Sequence, residues 1–75
     1  MPLPLKIERC IPHGFIASMS GTLAVGMAET PAFAVAEFYS EAERRLALLT
    51  QRNWPSDLGE VILLRSAVEI KGGLL

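Results

Sequence analysis

Apolar and polar residues alternate at the start of the chain. Leu3, Leu5, Ile7 and Ile11 share one parity, and Lys6, Glu8 and Cys10 share the other, with Arg9 a misfit on the apolar side. A period of two predicts a half-buried strand over 3–11. Pro12-His13-Gly14 reads as a turn, because proline presets φ and glycine accepts positive φ. Phe15 to Met19 is a second short strand, and Ser20-Gly21 a second turn signal. Thr22 to Met27 forms a third, with Leu23, Val25 and Met27 on one side and Gly26 weakening the pattern.

The period then changes. Val35, Phe38, Tyr39, Ala42, Leu46 and Leu49 follow the three-four spacing of one buried helical stripe. Thr30 suits the N-cap, and Pro31 suits the first helical position, where its missing N–H costs nothing. Glu41 and Arg45 stand four apart in the favourable order. Asn53-Trp54-Pro55 closes the segment, because a residue before proline is pushed out of the α region. The expected helix spans 31–52.

The last segment supports two patterns. As a strand, Ile62, Leu64, Ser66, Val68 and Ile70 face one way, with Arg65 and Glu69 opposite. As a helix, Ser56 caps, Leu58, Val61, Ile62 and Val68 are buried, and Gly72 ends it. The β-branched content favours the strand. The expected fold is therefore α+β in one domain over 1–75: short antiparallel N-terminal strands, one long central helix, and a C-terminal strand joining the sheet. The alternative is a β ribbon backed by a helical hairpin.

Composition narrows the function classes. Of the 75 residues, 51% are apolar and 20% charged, and seven basic side chains against eight acidic ones give a net charge of −1. A dedicated nucleic-acid binder normally carries a basic excess, and a disordered chain has far fewer apolar residues. One cysteine excludes an internal disulfide, and with a single histidine it leaves no four-ligand zinc site. No cofactor or metal is expected. A core this small rarely supplies more than ~3–5 kcal/mol by itself.

The stretch from Cys10 to Ala28 carries no charge. Followed by Ala32-Phe33-Ala34, it has the outline of a signal peptide with a cleavage site. His13, Ser18, Ser20, Thr22 and three glycines make it a poor apolar core, and it is too polar for a transmembrane span. The expected location is cytoplasmic, with no membrane partner.

Candidate chemistry is sparse. Cys10 and His13 form the one reactive-looking pair, since a thiolate nucleophile wants a nearby histidine to lower its pKa. Arg44, Arg45 and Arg52 are interleaved with Glu37, Glu41 and Glu43, so the expectation is a solvated helix face. Phe33, Phe38, Tyr39 and Trp54 fit a core or interface better than a stacking platform. Met1-Pro2 superficially resembles the 4-oxalocrotonate tautomerase group, whose small subunits use an N-terminal proline as base. That resemblance stops at Pro2 and the chain length, because about twenty residues separate the first strand from Thr30 where the family has a helix soon after.

The function expected is that of a non-enzymatic interaction, assembly or regulatory protein, homo-oligomeric or bound to a larger protein. Phe15, Ile16, Met19, Leu23 and Val25 are its candidate interface, and Val35, Phe38, Ala42, Leu46 and Leu49 its helical core. An uncharged sheet region implies that one face covers the helix and the other, or an edge, meets another chain. The alternatives are a small oligomeric enzyme using Cys10 and His13, and a nucleic-acid accessory protein.

Overall fold

A computed structural model describes residues 5–10 and 13–73. Expectations resting on Pro2, Leu3, Ile11 and Pro12 lie outside the described residues. Three strands, β1 (Leu5–Arg9), β2 (Phe15–Met19) and β3 (Val25–Ala28), form an antiparallel sheet in the order β1-β2-β3. Two helices follow, α1 (Pro31–Arg52) and α2 (Leu58–Gly73), joined by a 3₁₀ turn at Pro55–Asp57. The fold is α+β.

Local chemistry sets most boundaries. Gly21 turns β2 into β3 at φ 86°, and the Thr22 hydroxyl donates to the Met19 carbonyl at 3.1 Å. The Thr30 side chain accepts from the Phe33 N–H at 3.2 Å and caps α1, with Pro31 just behind it. At the other end Asn53 adopts the left-handed conformation, φ 52°, and its N–H donates to the Leu49 carbonyl at 3.0 Å. Trp54, before Pro55, is extended.

β2, β3 and Ala24 just before it present Ala17, Met19, Ala24 and Gly26 to the helices, where Ala34, Phe38, Tyr39, Ala42 and Leu49 of α1 and Leu64 and Ala67 of α2 complete the core. Val35 and Leu46 are partly buried against it. Gly26 faces Ala17 across the sheet and lies directly against the α1 backbone. A Cβ there would stand 2.1 Å from the Phe38 nitrogen and 2.2 Å from the Ala34 oxygen. Small residues thus let helix and sheet meet backbone to backbone. Phe38 and Tyr39 pack edge to face, with ring centroids 5.5 Å apart.

Three expectations are corrected here. The segment 58–73 is a helix, not a C-terminal strand, and the helical hairpin is the arrangement observed. Leu64 and Ala67 are buried while Ile62 and Ile70 are exposed, so burial follows the helical three-residue step and not alternation. Tertiary packing against α1 outweighs the modest β preference of Val61, Ile62, Val68 and Ile70. β1 is also less buried than a half-covered strand, since Lys6, Ile7, Glu8 and Arg9 are all exposed. It is an edge strand, and α1 packs on β3 and β2 instead, which also accommodates Arg9 on the apolar parity. Finally, Met19 is 2% exposed and belongs to the core, not to an interface, because its parity points it at the helices.

Candidate functional site

Outward-facing positions of the sheet are occupied by Lys6 and Glu8 from β1, Ile16 and Ser18 from β2, and Val25 and Met27 from β3. The alternation that sends Ala17, Met19 and Gly26 inward sends these outward. Leu23, just before β3, has the same parity as Val25 and Met27 and is 72% exposed. Of the candidate interface, Leu23 and Val25 are therefore exposed and Ile16 is half-buried, while Phe15 is partly buried against the core. Met27, 64% exposed, completes the row. Its parity with Leu23 and Val25 is the signal that marks it.

α1 contributes a second exposed stripe. Phe33, Glu37, Arg44 and Leu48 are exposed and Glu41 half-buried, at spacings of three and four residues on the flank opposite Tyr39 and Leu46. Leu48, Arg44, Arg45 and Glu41 line a depression of about 310 Å³ with Leu23 and Ala24. The helix stripe therefore borders Leu23, at the end of the outward row. The Arg44 guanidinium donates to Glu41 at 2.6 Å.

Two ion pairs brace this surface from behind. Arg45 grips Glu60 with two hydrogen bonds, the second (Nη2 to Oε1) at 3.0 Å, and the Leu23 N–H donates to the same carboxylate at 3.0 Å. Arg52 donates to both oxygens of Asp57 at 2.7 and 2.9 Å, and its guanidinium lies 4.0 Å from the Trp54 ring centroid. Both carboxylates also sit at the start of α2, where the helix dipole favours negative charge. The expected solvated face holds for Arg44 alone of the three arginines, since Arg45 turns to Glu60 on α2 and Arg52 to Asp57 in the 3₁₀ turn. Arg45 thus pairs with Glu60 in place of Glu41. Partners 15 residues apart on different helices leave no periodic trace in a sequence.

These pairs have a pH consequence. The Arg52 guanidinium holds the Asp57 carboxyl below its usual range, against the opposing pull of desolvation. Arg45 does the same for Glu60, with the Leu23 N–H adding to it. Groups whose folded pKa is depressed stabilise the fold above their unfolded pKa, near ~4 for carboxylates, and cease to do so as pH falls through the folded value. The melting midpoint is expected to be flat from neutral pH to about 5 and to drop below about 4. In the Asp57→Asn/Glu60→Gln variant, melting followed by circular dichroism should begin lower at pH 7 and fall less on acidification. An unchanged acid slope in that variant would mean that other carboxylates govern it.

Cys10 and His13 border a separate open depression of about 240 Å³ with Phe15, Met27 and Glu29. Cys10 is half-buried and its N–H donates to the Gly14 carbonyl at 2.9 Å, while His13 is exposed. Among the described residues no hydrogen bond joins the thiol to the imidazole, and no group of three potential ligands could hold a metal ion. No family model matches the chain, and no curated protein or solved structure does either. Among the described residues, no helix is long and apolar enough to cross a membrane.

Proposed function

We propose that this chain is a non-enzymatic interaction protein that acts by presenting an apolar surface to a protein partner, in the first instance to itself. One observation carries this. Among the described residues, Phe38, Met19, Leu49 and Leu64 are the largest fully buried side chains, whereas ten large apolar side chains are exposed, among them Leu23, Val25, Met27, Phe33 and Leu48. The remaining core is mostly alanine. Exposed apolar residues are ordinary when scattered, but contiguous ones mark interaction sites. Leu23 and Leu48 border one depression, and Val25 and Met27 continue from Leu23 along β3.

The shape supports the same reading. The Cα radius of gyration is 12.5 Å and the extents are 39 × 26 × 19 Å, against ~11 Å expected of a compact 75-residue domain. Such a slab buries little per residue, and association supplies the missing burial. The single cysteine suits a reducing compartment, and the cytoplasm is the proposed location.

Light scattering at micromolar concentration tests the proposal. A mass that is a multiple of 8.2 kDa is expected. A mass of 8.2 kDa that does not change on concentrating would reject self-association and leave a heterologous partner.

A further inference from the structure

We propose that two copies of this chain join edge to edge through β1, about a two-fold axis at Ile7, into one continuous sheet. This rests on the self-association reading above in one respect, that the partner is a second copy, and it uses a different edge of the molecule from the apolar row.

The two edges of the sheet are not equivalent. At the β3 edge the Leu23 N–H already donates to Glu60, and the α1 backbone lies directly on Gly26. At the β1 edge the backbone is open. The Cys10 N–H donates to the Gly14 carbonyl at 2.9 Å, the rung of the ladder next to Arg9 and Phe15. The N–H and C=O of a strand residue point to one side, and successive residues alternate. Glu8 and Lys6 therefore bond to β2 as Cys10 does, while Leu5, Ile7 and Arg9 aim their backbone groups away from it. Among the described residues no partner meets them. A two-fold at Ile7 pairs them all. Ile7 of each copy exchanges both backbone hydrogen bonds with Ile7 of the other, and Leu5 does so with Arg9.

The side chains select the same register independently. Lys6 and Glu8 share the outward face, 3.4 Å apart within the strand. Charges on an edge strand ordinarily discourage pairing, but the order of these two is self-complementary. About Ile7, Lys6 of each copy stands opposite Glu8 of the other, at the non-hydrogen-bonded positions where opposed side chains are closest. Four charges then alternate in sign around the axis. In the neighbouring registers Lys6 or Glu8 would stand opposite its own copy, an unfavourable like-charge pair. On the helix-facing side Ile7, 45% exposed, meets its own copy. Arg9, the misfit on the apolar parity, lays its aliphatic stem along Leu5 of the other chain.

The helices leave room for this junction. α1 stands over β3, two strands from the edge, and α2 packs on α1. With strands ~4.8 Å apart, the two α1 helices lie ~24 Å from each other. Both α2 helices fit between them at the ~8 Å lower limit of helix packing.

Charge reversal tests the arrangement, read by light scattering over a concentration series. Lys6→Glu alone and Glu8→Lys alone should each weaken dimerisation roughly ten-fold, because both attractions across the axis become repulsions. The double variant Lys6→Glu/Glu8→Lys should dimerise as the wild type does, and so should an equal mixture of the two single variants. Ile7→Cys in a Cys10→Ser background should form a disulfide dimer under mild oxidation, since opposed Cα atoms at ~5.5 Å are within disulfide range. Val25→Cys, on the other edge, should not cross-link in the same background. If the wild-type chain dimerises yet the single reversals associate as tightly and Ile7→Cys does not cross-link, β1 is not the interface and the self-association reading stands. A double variant as weak as the single ones would overturn the pairing of Lys6 with Glu8. A wild-type chain that stays at 8.2 kDa overturns both this interface and that reading.

Discussion

Gly26→Ala is expected to cost the protein its folded state at room temperature. Overpacking an ordinary core site costs ~1–3 kcal/mol, because flexible side chains can move aside. Here the added methyl would meet backbone on three atoms, the Phe38 nitrogen, the Ala34 oxygen and the Phe38 Cα, the last at 2.7 Å. Backbone hydrogen-bonded within a helix has no rotamer to change. The whole of α1 would have to lift from β3, opening the contacts that bury Phe38, Ala34 and Ala17. A penalty above ~3 kcal/mol approaches the entire ~3–5 kcal/mol that a core of this size supplies. Loss of the cooperative thermal transition in circular dichroism is the expected readout. Should Gly26→Ala melt within a few degrees of the wild type, β3 and α1 cannot be in backbone contact.

Leu64→Asp should unfold the protein and Ile62→Asp should not. The two residues are two apart, so on a strand they would share a face and both substitutions would be equally damaging. On α2 they diverge, with Leu64 0% and Ile62 62% exposed. An aspartate at Leu64 places an unpaired carboxylate among buried side chains and forfeits the burial of a leucine, about 2–5 kcal/mol for the lost packing alone. At Ile62 the same carboxylate is hydrated. Its effect there should stay within about 0.5 kcal/mol, the usual range for surface substitutions. For a domain of this size 1 kcal/mol moves the melting midpoint by roughly 4–8 °C, so the two variants are easily separated. Equal destabilisation by both would restore the strand.

Where neighbours in sequence sufficed, the chain was legible. Thr30 and Pro31 announce the start of α1, and Asn53 before Trp54-Pro55 announces its end. Capping and proline effects act over three or four residues and need no tertiary partner. The β2 strand and its Gly21 turn are readable for the same reason. Gly26 is the opposite case. Along the sequence it is merely a residue that weakens a strand, and only the approach of α1 reveals why no side chain fits.

The candidate surface divides in the same way. Parity alone puts Leu23, Val25 and Met27 on one side of β3 and Met19 with Ala17 on one side of β2, but it cannot say which side is covered. Arg45 looked like a partner for Glu41 because four residues is the helical repeat. Glu60, with two hydrogen bonds and less exposure, is the partner the fold provides.

The α+β class, the span of α1 and the turns were determined by the sequence itself, because periodicity, caps and glycine turns express backbone preferences set by a few adjacent residues. Tertiary structure alone decided that 58–73 is helical, that β1 lies uncovered, that Gly26 touches a helix, and that Arg45 and Arg52 pair with Glu60 and Asp57. The reason is one of magnitude. Helix and strand propensities differ by less than ~1 kcal/mol per residue. Burying one leucine is worth ~1.5–3 kcal/mol, so a few contacts such as Leu64 on α1 outweigh any local preference they oppose.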